Sequence, residues 1–455
     1  MNIRIDTSVK KGKFEGFGAS GAWWAQLVGG WDHVDEDSGL AVRDRISQLL
    51  YSKENGIGLR TYRYNIGAGS AHSGKGNIDN PLRRTESFDM GEGKYDFTRD
   101  ANAVYMMNQA AKDGADEIIL FVNSPVERLT KNGWSHLGKN QIMRDNLAPA
   151  NYKSFAKYCL DVTEHFVDEG LPVKYLSPIN EPIWIWNGGQ EGCHYSPWAA
   201  AAVMKVFAEE MQKREKLRDV KLSGVESGDV RWFNKSYTHA LMCHKSVREK
   251  IDAVDVHSYC LPLPIPVKGF NDRVAFITRY RKWLDKHYPD LEVKMSEWCH
   301  MQGGRDKSMD SALVTANIIY EDISILNVSS WQHWIAVSEV DYCDGLIYIN
   351  ISDKTFEMTK RYYVTGNFSK YIPFGAEKIG VKCDNGNLKV LAFRKDDENI
   401  LIVINDTDSA EKITLEDAKE SVRHIVTDKD NDLAEKTVEN TDIEISARSV
   451  NTIIL

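Results

Sequence analysis

Along the first three quarters of the chain, short apolar and β-branched runs alternate with stretches whose apolar residues recur every three to four positions. The short runs fall at 14–20 (FEGFGAS), 58–66 (GLRTYRYNI), 117–123 (EIILFVN), 174–180 (KYLSPIN), 221–227 (KLSGVES), 253–259 (AVDVHSY), 292–298 (EVKMSEW) and 328–335 (VSSWQHWI). Each predicts a strand. Between them, 152–167 puts Phe155, Tyr158, Cys159, Val162 and Phe166 on one side of a predicted helix. Trp198, Ala202, Val203, Val206, Phe207 and Met211 do the same for the stretch that follows 197. Strand–helix alternation repeated eight times predicts an α/β architecture, a (β/α)8 TIM barrel over residues 13–360. A doubly wound open sheet would need a glycine-rich phosphate loop after its first strand. GFGASG at 16–21 is out of register for one.

Towards the C-terminus the period changes. LKVLAFRKDDENILIVIND (388–406) reads as a hairpin, and KITLEDA, SVRHIVTD and IEISARSVNTIIL continue as short strands. They predict a β-sandwich over 361–455, with the boundary inside 351–375. The opening IRIDT (3–7) alternates without a local partner, so residues 1–12 are expected to lend a strand to that sandwich.

A barrel carries its chemistry at the C-terminal ends of its strands. The polar side chains at those ends are Ser20, Asn65, Asn123, Asn180 with Glu181, Glu226, His257 with Tyr259, Glu297 and Trp334. Glu181 closes the fourth predicted strand and Glu297 the seventh, which face one another across a ring of eight. A strand-end glutamate by itself is often a helix cap or the partner of an arginine. Two that converge on one mouth are the minimum equipment for glycoside hydrolysis: one protonated to donate to the leaving oxygen, one ionised to attack or to activate water. A separation of about 5–5.5 Å, with retention of configuration, is expected.

Several segments together resemble glycoside hydrolase family 30, in the clan of barrel glycosidases with acid and nucleophile on strands four and seven. They are FEGFGAS, RYNIGAGS (63–70), NSPVERLTKNG (123–133), SPINEP (177–182), DVHSY (255–259), MSEW (295–298), SWQHW (330–334) and YVTGNFSKYIPFGAEKI (363–379). The resemblance implies that Glu181 is the acid/base, Glu297 the nucleophile, and Asn180 a partner of the sugar 2-hydroxyl. It also implies that Arg63 holds the nucleophile ionised, through the lowering of a carboxylate pKa by a nearby cation. Tyr259 is expected to touch the same carboxylate, with His257 beside it. Asn123 and Ser70 are further expected substrate contacts. Glu181 needs a raised pKa, so apolar walls are expected around it, from Trp184 or Trp186.

The chain has twelve tryptophans. Sugar rings present apolar C–H faces that aromatic planes bury. Trp334, Trp298 and Trp24 are expected to serve in that way, and Trp232, Trp283 and Trp331 to pack in the interior. The Trp23–Trp24 pair looks most like the β-1,6-galactanase branch of the family, which points to β-1,6-linked galactan or galacto-oligosaccharides. An exo-acting β-glucosidase, β-xylosidase or β-fucosidase is the alternative. Glu226 and DYCDG (341–345) either contact further hydroxyls or are structural.

Composition narrows the classes. A net charge of −9 gives no general attraction for nucleic acid or an anionic membrane. No run of about 18 apolar residues is present, so no membrane span is expected. The seven cysteines lack any CxxC, and the start of the chain lacks an apolar signal region, so a reduced, cytoplasmic protein is expected, or a secreted one if a leader has been removed. Three Cys-His dipeptides have no metal-ligand spacing. No metal or cofactor and no obligate protein partner are expected; carbohydrate is the expected ligand. A non-catalytic sugar-binding barrel would have lost one carboxylate. A phosphate-dependent barrel enzyme would need a phosphate loop where MQGGRD (301–306) stands.

Overall fold

The computed structural model describes residues 2–73, 78–139, 143–231, 234–260, 272–416, 421–439 and 441–455; Trp232 lies outside them. After a first strand, β1 (Asn2–Phe14), come β2 (Gly16–Ser20), β3 (Thr61–Asn65), β4 (Glu117–Phe121), β5 (Val173–Ser177), β6 (Lys221–Leu222), β7 (Ala253–His257), β8 (Glu292–Trp298) and β9 (Ser330–His333). β2 to β9 form one eight-stranded sheet in the order β6-β5-β4-β3-β2-β9-β8-β7. Parallel bridges Leu222–Ile251 and Ser227–Val256 join its two edges, so the sheet curls back on itself as the predicted barrel requires.

All eight predicted strands are present, several of them shorter than the sequence suggests. β6 keeps only two residues of its predicted seven. The chain leaves the ladder at Ser223 because Oδ2 of Asp255 draws in Ser223 Oγ at 2.6 Å and the Gly224 amide at 2.7 Å. Glu226 beyond it has a left-handed backbone, φ 45°. Helices follow the strands with the expected polarity. Pro197–Met211, for example, starts on Ser196, whose Oγ accepts from the Ala199 amide, with Pro197 in the first turn where no amide is needed.

After β9 a small sheet appears that the sequence pattern did not predict. Its strands are β10 (Val337–Ser338), β11 (Ile347–Asn350) and β12 (Thr355–Met358). The helix Lys360–Ser369 then leads to β13 (Ala376–Cys383), β14 (Leu388–Lys395), β15 (Glu398–Asn405), β16 (Glu411–Leu415), β17 (Val422–Thr427), β18 (Ala434–Val438), β19 (Asp442–Ile445) and β20 (Ser449–Ile454). With β1 these make a nine-stranded sheet, β18-β17-β20-β15-β14-β13-β1-β16-β19. Its core takes Ile3, Val390, Leu401, Ile413, Ile443 and Ile453 from six strands, which is the alternation read in the sequence. β1 runs antiparallel to β13 and parallel to β16.

By compactness the chain divides into two units. One comprises 1–19, 48–60 and 299–455; the other comprises 20–47 and 61–298. The first joins the last barrel strand and helix to the sandwich, where Met309–Glu321 packs on β14, β15 and β20. The second holds β3 to β8, and with them both strand-end glutamates.

Candidate active site

Arg63 points from β3 into the barrel with no solvent exposure. A buried guanidinium must be compensated, and its two terminal nitrogens are shared among three acceptors. Nη1 donates to Glu297 Oε2 at 2.9 Å; Nη2 donates to Asn180 Oδ1 at 2.9 Å and to Glu226 Oε2 at 2.6 Å. The guanidinium carbon stands 3.6 Å from the ring centroid of Phe121 on β4, so the fork is held flat against an aromatic face. One arginine thus gathers the ends of β5, β6 and β8.

Asn180 and Glu181 follow β5. The Asn180 amide donates to Asn123 Oδ1 at 3.0 Å, and Asn123 in turn donates to Asn65 Oδ1 at 3.4 Å, a line of three amides from three neighbouring strands. Glu181 has φ 43°, a conformation that a non-glycine residue adopts only at a cost. Its amide donates to the carbonyl of Glu226 at 3.0 Å, and its carbonyl accepts from the Trp186 indole at 3.1 Å.

His257, at the end of β7, stands between the two glutamates. Its Nδ1 is 2.8 Å from Glu181 Oε1 and 3.5 Å from Glu297 Oε1, while Nε2 is 3.8 Å from Glu226 Oε2. The Tyr259 hydroxyl donates to Glu297 Oε1 at 3.4 Å. An oxygen of Glu181, a ring nitrogen of His257 and an oxygen of Glu297 all lie within 4.8 Å of one another. Among the described residues this is the grouping of donors close enough to hold a cation, yet Arg63 and the histidine already supply its countercharge.

The electrostatics depart from expectation at Glu297. Burial comes first and pushes its carboxyl up to about 7; His257 and Arg63 pull the other way, and Glu181 and Glu226 add to the rise. Arg63 does lower this pKa, in the direction expected, but with its charge divided among three acceptors it does not outweigh the loss of water. For His257, burial disfavours the charged form, but Glu297, Glu181 and Glu226 overcome it and hold the imidazolium up to about 10. Glu226 is buried as well, and Arg63 and His257 bring it below the usual carboxylate range.

The remaining expected contacts are scattered. Ser70 is buried with its hydroxyl and amide on Glu191 Oε1, at 2.5 and 3.1 Å, and Thr85 donates to its Oγ; it serves a loop staple rather than the paired glutamates. Trp24 is only 1% exposed and its indole donates to the Ser20 carbonyl. With no open ring face it has no platform to offer, which corrects that expectation. Its neighbour Trp23 is half-buried, with the Arg83 guanidinium 4.7 Å from its ring. Trp298 is buried, and Trp334 is half-buried beyond β9 in the other unit. Trp331 is interior, as expected, with its indole on Asp322; Trp283 is half-buried against Tyr280.

Sequence reasoning missed Gly228. A Cβ there would overlap the Trp184 indole nitrogen and stand 3.0 Å from both Cδ and Oε1 of Glu181. A glycine two residues past a strand-end glutamate was the available signal. It also missed Phe121, whose ring closes β4 beneath Arg63.

Two carboxylates facing each other across a shared imidazolium, at the C-terminal mouth of a barrel, can protonate a leaving oxygen and attack or activate water. Comparison with known proteins agrees with that chemistry. Residues 1–348 match the model described as O-Glycosyl hydrolase family 30, and residues 375–453 match the glycosyl hydrolase family 30 beta sandwich domain. An endo-beta-1,6-galactanase of Hypocrea rufa is 25% identical over 446 residues, covering 91% of this chain and 83% of its own. In fold, the chain is similar to a conserved exported protein from Bacteroides fragilis, with TM-score 0.88, 23% identity and all of both chains covered. It is also similar to the catalytic domain of a family 30 xylanase from Talaromyces cellulolyticus, with TM-score 0.76, 18% identity, and 100% and 99% covered. Both halves of the family's architecture lie here in order along one chain, with the paired carboxylates that its chemistry needs: the chain belongs to glycoside hydrolase family 30, and it is a glycosidase with a carbohydrate substrate.

Proposed function

We propose that the protein is a retaining β-glycosidase that works by double displacement and acts most readily on β-1,6-linked galactan or its oligosaccharides. Glu297 attacks the anomeric carbon as the glycosidic C–O bond breaks, and Glu181 passes its proton to the departing oxygen. Water, deprotonated by Glu181, then displaces Glu297 and releases the sugar. The supporting observation is the approach of the two carboxylates within 4.8 Å. Retention goes with a separation of about 5–5.5 Å, whereas about 6.5–9.5 Å is needed to seat a water for inversion. Asn180 keeps one amide hydrogen beyond the one given to Asn123, and this suits a sugar 2-hydroxyl.

The substrate assignment draws on the Trp23–Trp24 pair, of which Trp23 keeps partial exposure, and on the relative named as an endo-beta-1,6-galactanase. The test is incubation with a 2-deoxy-2-fluoro-β-galactoside, followed by peptide mass spectrometry, beside Glu297→Gln on β-1,6-galacto-oligosaccharides. Label on Glu297 and loss of turnover in a folded variant are expected. Near-normal turnover by Glu297→Gln ends the mechanistic reading. Faster cleavage of aryl β-glucoside, xyloside or fucoside than of any galactoside ends the substrate reading.

A further inference from the structure

The third carboxylate of the cluster, Glu226, is fully buried, so it does not reach a sugar hydroxyl. That excludes one of the two roles open to it from the sequence. It is instead joined to each working part of the site. Its Oε2 takes the shortest of the three hydrogen bonds from Arg63 and faces His257 Nε2 at 3.8 Å. Its carbonyl accepts the Glu181 amide, so two residues with left-handed backbones, φ 45° and 43°, are tied together there.

Resting on the reading of Glu181 and Glu297 as acid and nucleophile, we infer that Glu226 is a positioning residue: it orients Arg63 and His257 onto the catalytic pair and sets the charge of the cluster. Arg63 from β3 and His257 from β7 bring two positive charges; Glu181 beyond β5, Glu226 beyond β6 and Glu297 from β8 bring three carboxyls. Asp255 on β7 is raised to about 7 by burial first and then by Glu226, against the pull of Lys294 on β8. With Glu226 ionised, the remaining two carboxyls share one proton when the cluster is neutral. One protonated and one ionised carboxyl is the state from which double displacement starts. Without the Glu226 charge, two cations would face only two carboxyls, and neutrality would strip the acid of its proton.

The experiment is Glu226→Gln, which keeps the shape and removes the charge, read as kcat and KM across the pH range with a melting curve as control. Loss of an adjacent anion favours deprotonation of every neighbouring group, so both limbs of kcat/KM move to lower pH, by about one unit. At the optimum kcat falls on the order of 10- to 100-fold, the range seen when an outer partner orienting a metal ligand is lost. KM changes little, because no sugar contact is lost. Limbs that stay at their wild-type pH, or a loss expressed mainly in KM, overturn the inference.

If Glu226→Gln fails to fold, Glu226→Asp decides, because it keeps the charge and withdraws the carboxylate from Arg63 and His257. A kcat reduced at least tenfold with limbs at their wild-type pH supports the inference, and a kcat within a factor of three of wild type overturns it. Labelling of Glu297 by the fluorosugar is read separately, so failure of the retaining assignment is distinguishable from failure of the Glu226 role.

Discussion

His257 Nδ1 lies 2.8 Å from Oε1 of Glu181, closer than to any oxygen of Glu297. The imidazolium therefore sits closer to Glu181 while still facing Glu297. Carboxyls that share one such neighbour lose their protons in steps that belong to the pair. Glu297, pushed by burial up to about 7, marks one of those steps. The expected outcome is a kcat/KM that falls about tenfold per pH unit above roughly 7, as one essential proton is lost. A rate still level at pH 9 would place the proton donor elsewhere.

Arg63→Lys should be far from conservative. The guanidinium serves Glu297, Asn180 and Glu226 from two nitrogens in a plane fixed by Phe121, whereas an ammonium reaches fewer of them and has no plane. A loss in kcat of roughly 10²–10³-fold is expected, the size found when one preorganised donor is removed from a site. Steady-state kinetics on an aryl β-galactoside check it, and a variant within a factor of three of wild type would contradict the role.

Gly228→Ala offers a finer probe. The added methyl displaces Trp184 and crowds the Glu181 carboxyl but leaves Glu297 alone. A misplaced acid costs up to about 10²-fold where the leaving group needs its proton. Alkyl or sugar leaving groups should therefore suffer, and dinitrophenyl glycosides should not. Equal losses on both classes would mean that the substitution disturbs more than the acid.

Stability should fall as pH rises from 5 to 8. Burial raises Asp100, Glu191, Asp255 and Glu297 to about 7, so between their unfolded values and 7 the folded chain binds more protons than the unfolded one. His257, raised to about 10, contributes stability that is complete below its unfolded value of 6.5 and is lost as pH climbs towards 10. Both terms have the same sign in this window and outnumber His333, which burial lowers to about 3 and which acts the other way up to its unfolded value of 6.5. Calorimetry should give a melting temperature at pH 5 at least ~2 °C above that at pH 8, about what 1 kcal/mol makes in a domain of some 150–250 residues. The reverse order would mean that these groups are hydrated in the folded protein.

Much of this arrangement was legible in the sequence because a barrel converts strand order into position. Asn180, Glu181 and Glu297 each end an apolar run, and counting the runs brings them together. What the sequence withheld depends on burial and on shared charge. Trp23 and Trp24 are adjacent and chemically identical, and only the packing of Trp24 over Ser20 decides which ring stays accessible. Glu226 ends a predicted strand just as Glu297 does, and both carboxyls meet Arg63, yet Glu226 alone is fully enclosed. The raised pKa of Glu297 was hidden for the same reason, because neighbouring cations can be counted from motifs and lost water cannot.

The pairing of β1 also has a consequence for synthesis. Ile3 meets Cys383 and Leu415, so the partners of β1 are made several hundred residues after it. At about 5–20 residues per second the ribosome takes on the order of tens of seconds to deliver them. Through that interval β1 carries unmatched amides, with Ile3 and Ile5 uncovered. Strands made late therefore complete the pairing of β1 and the burial of Ile3, and resistance to proteases around Ile3 should appear only after β13 and β16 have emerged.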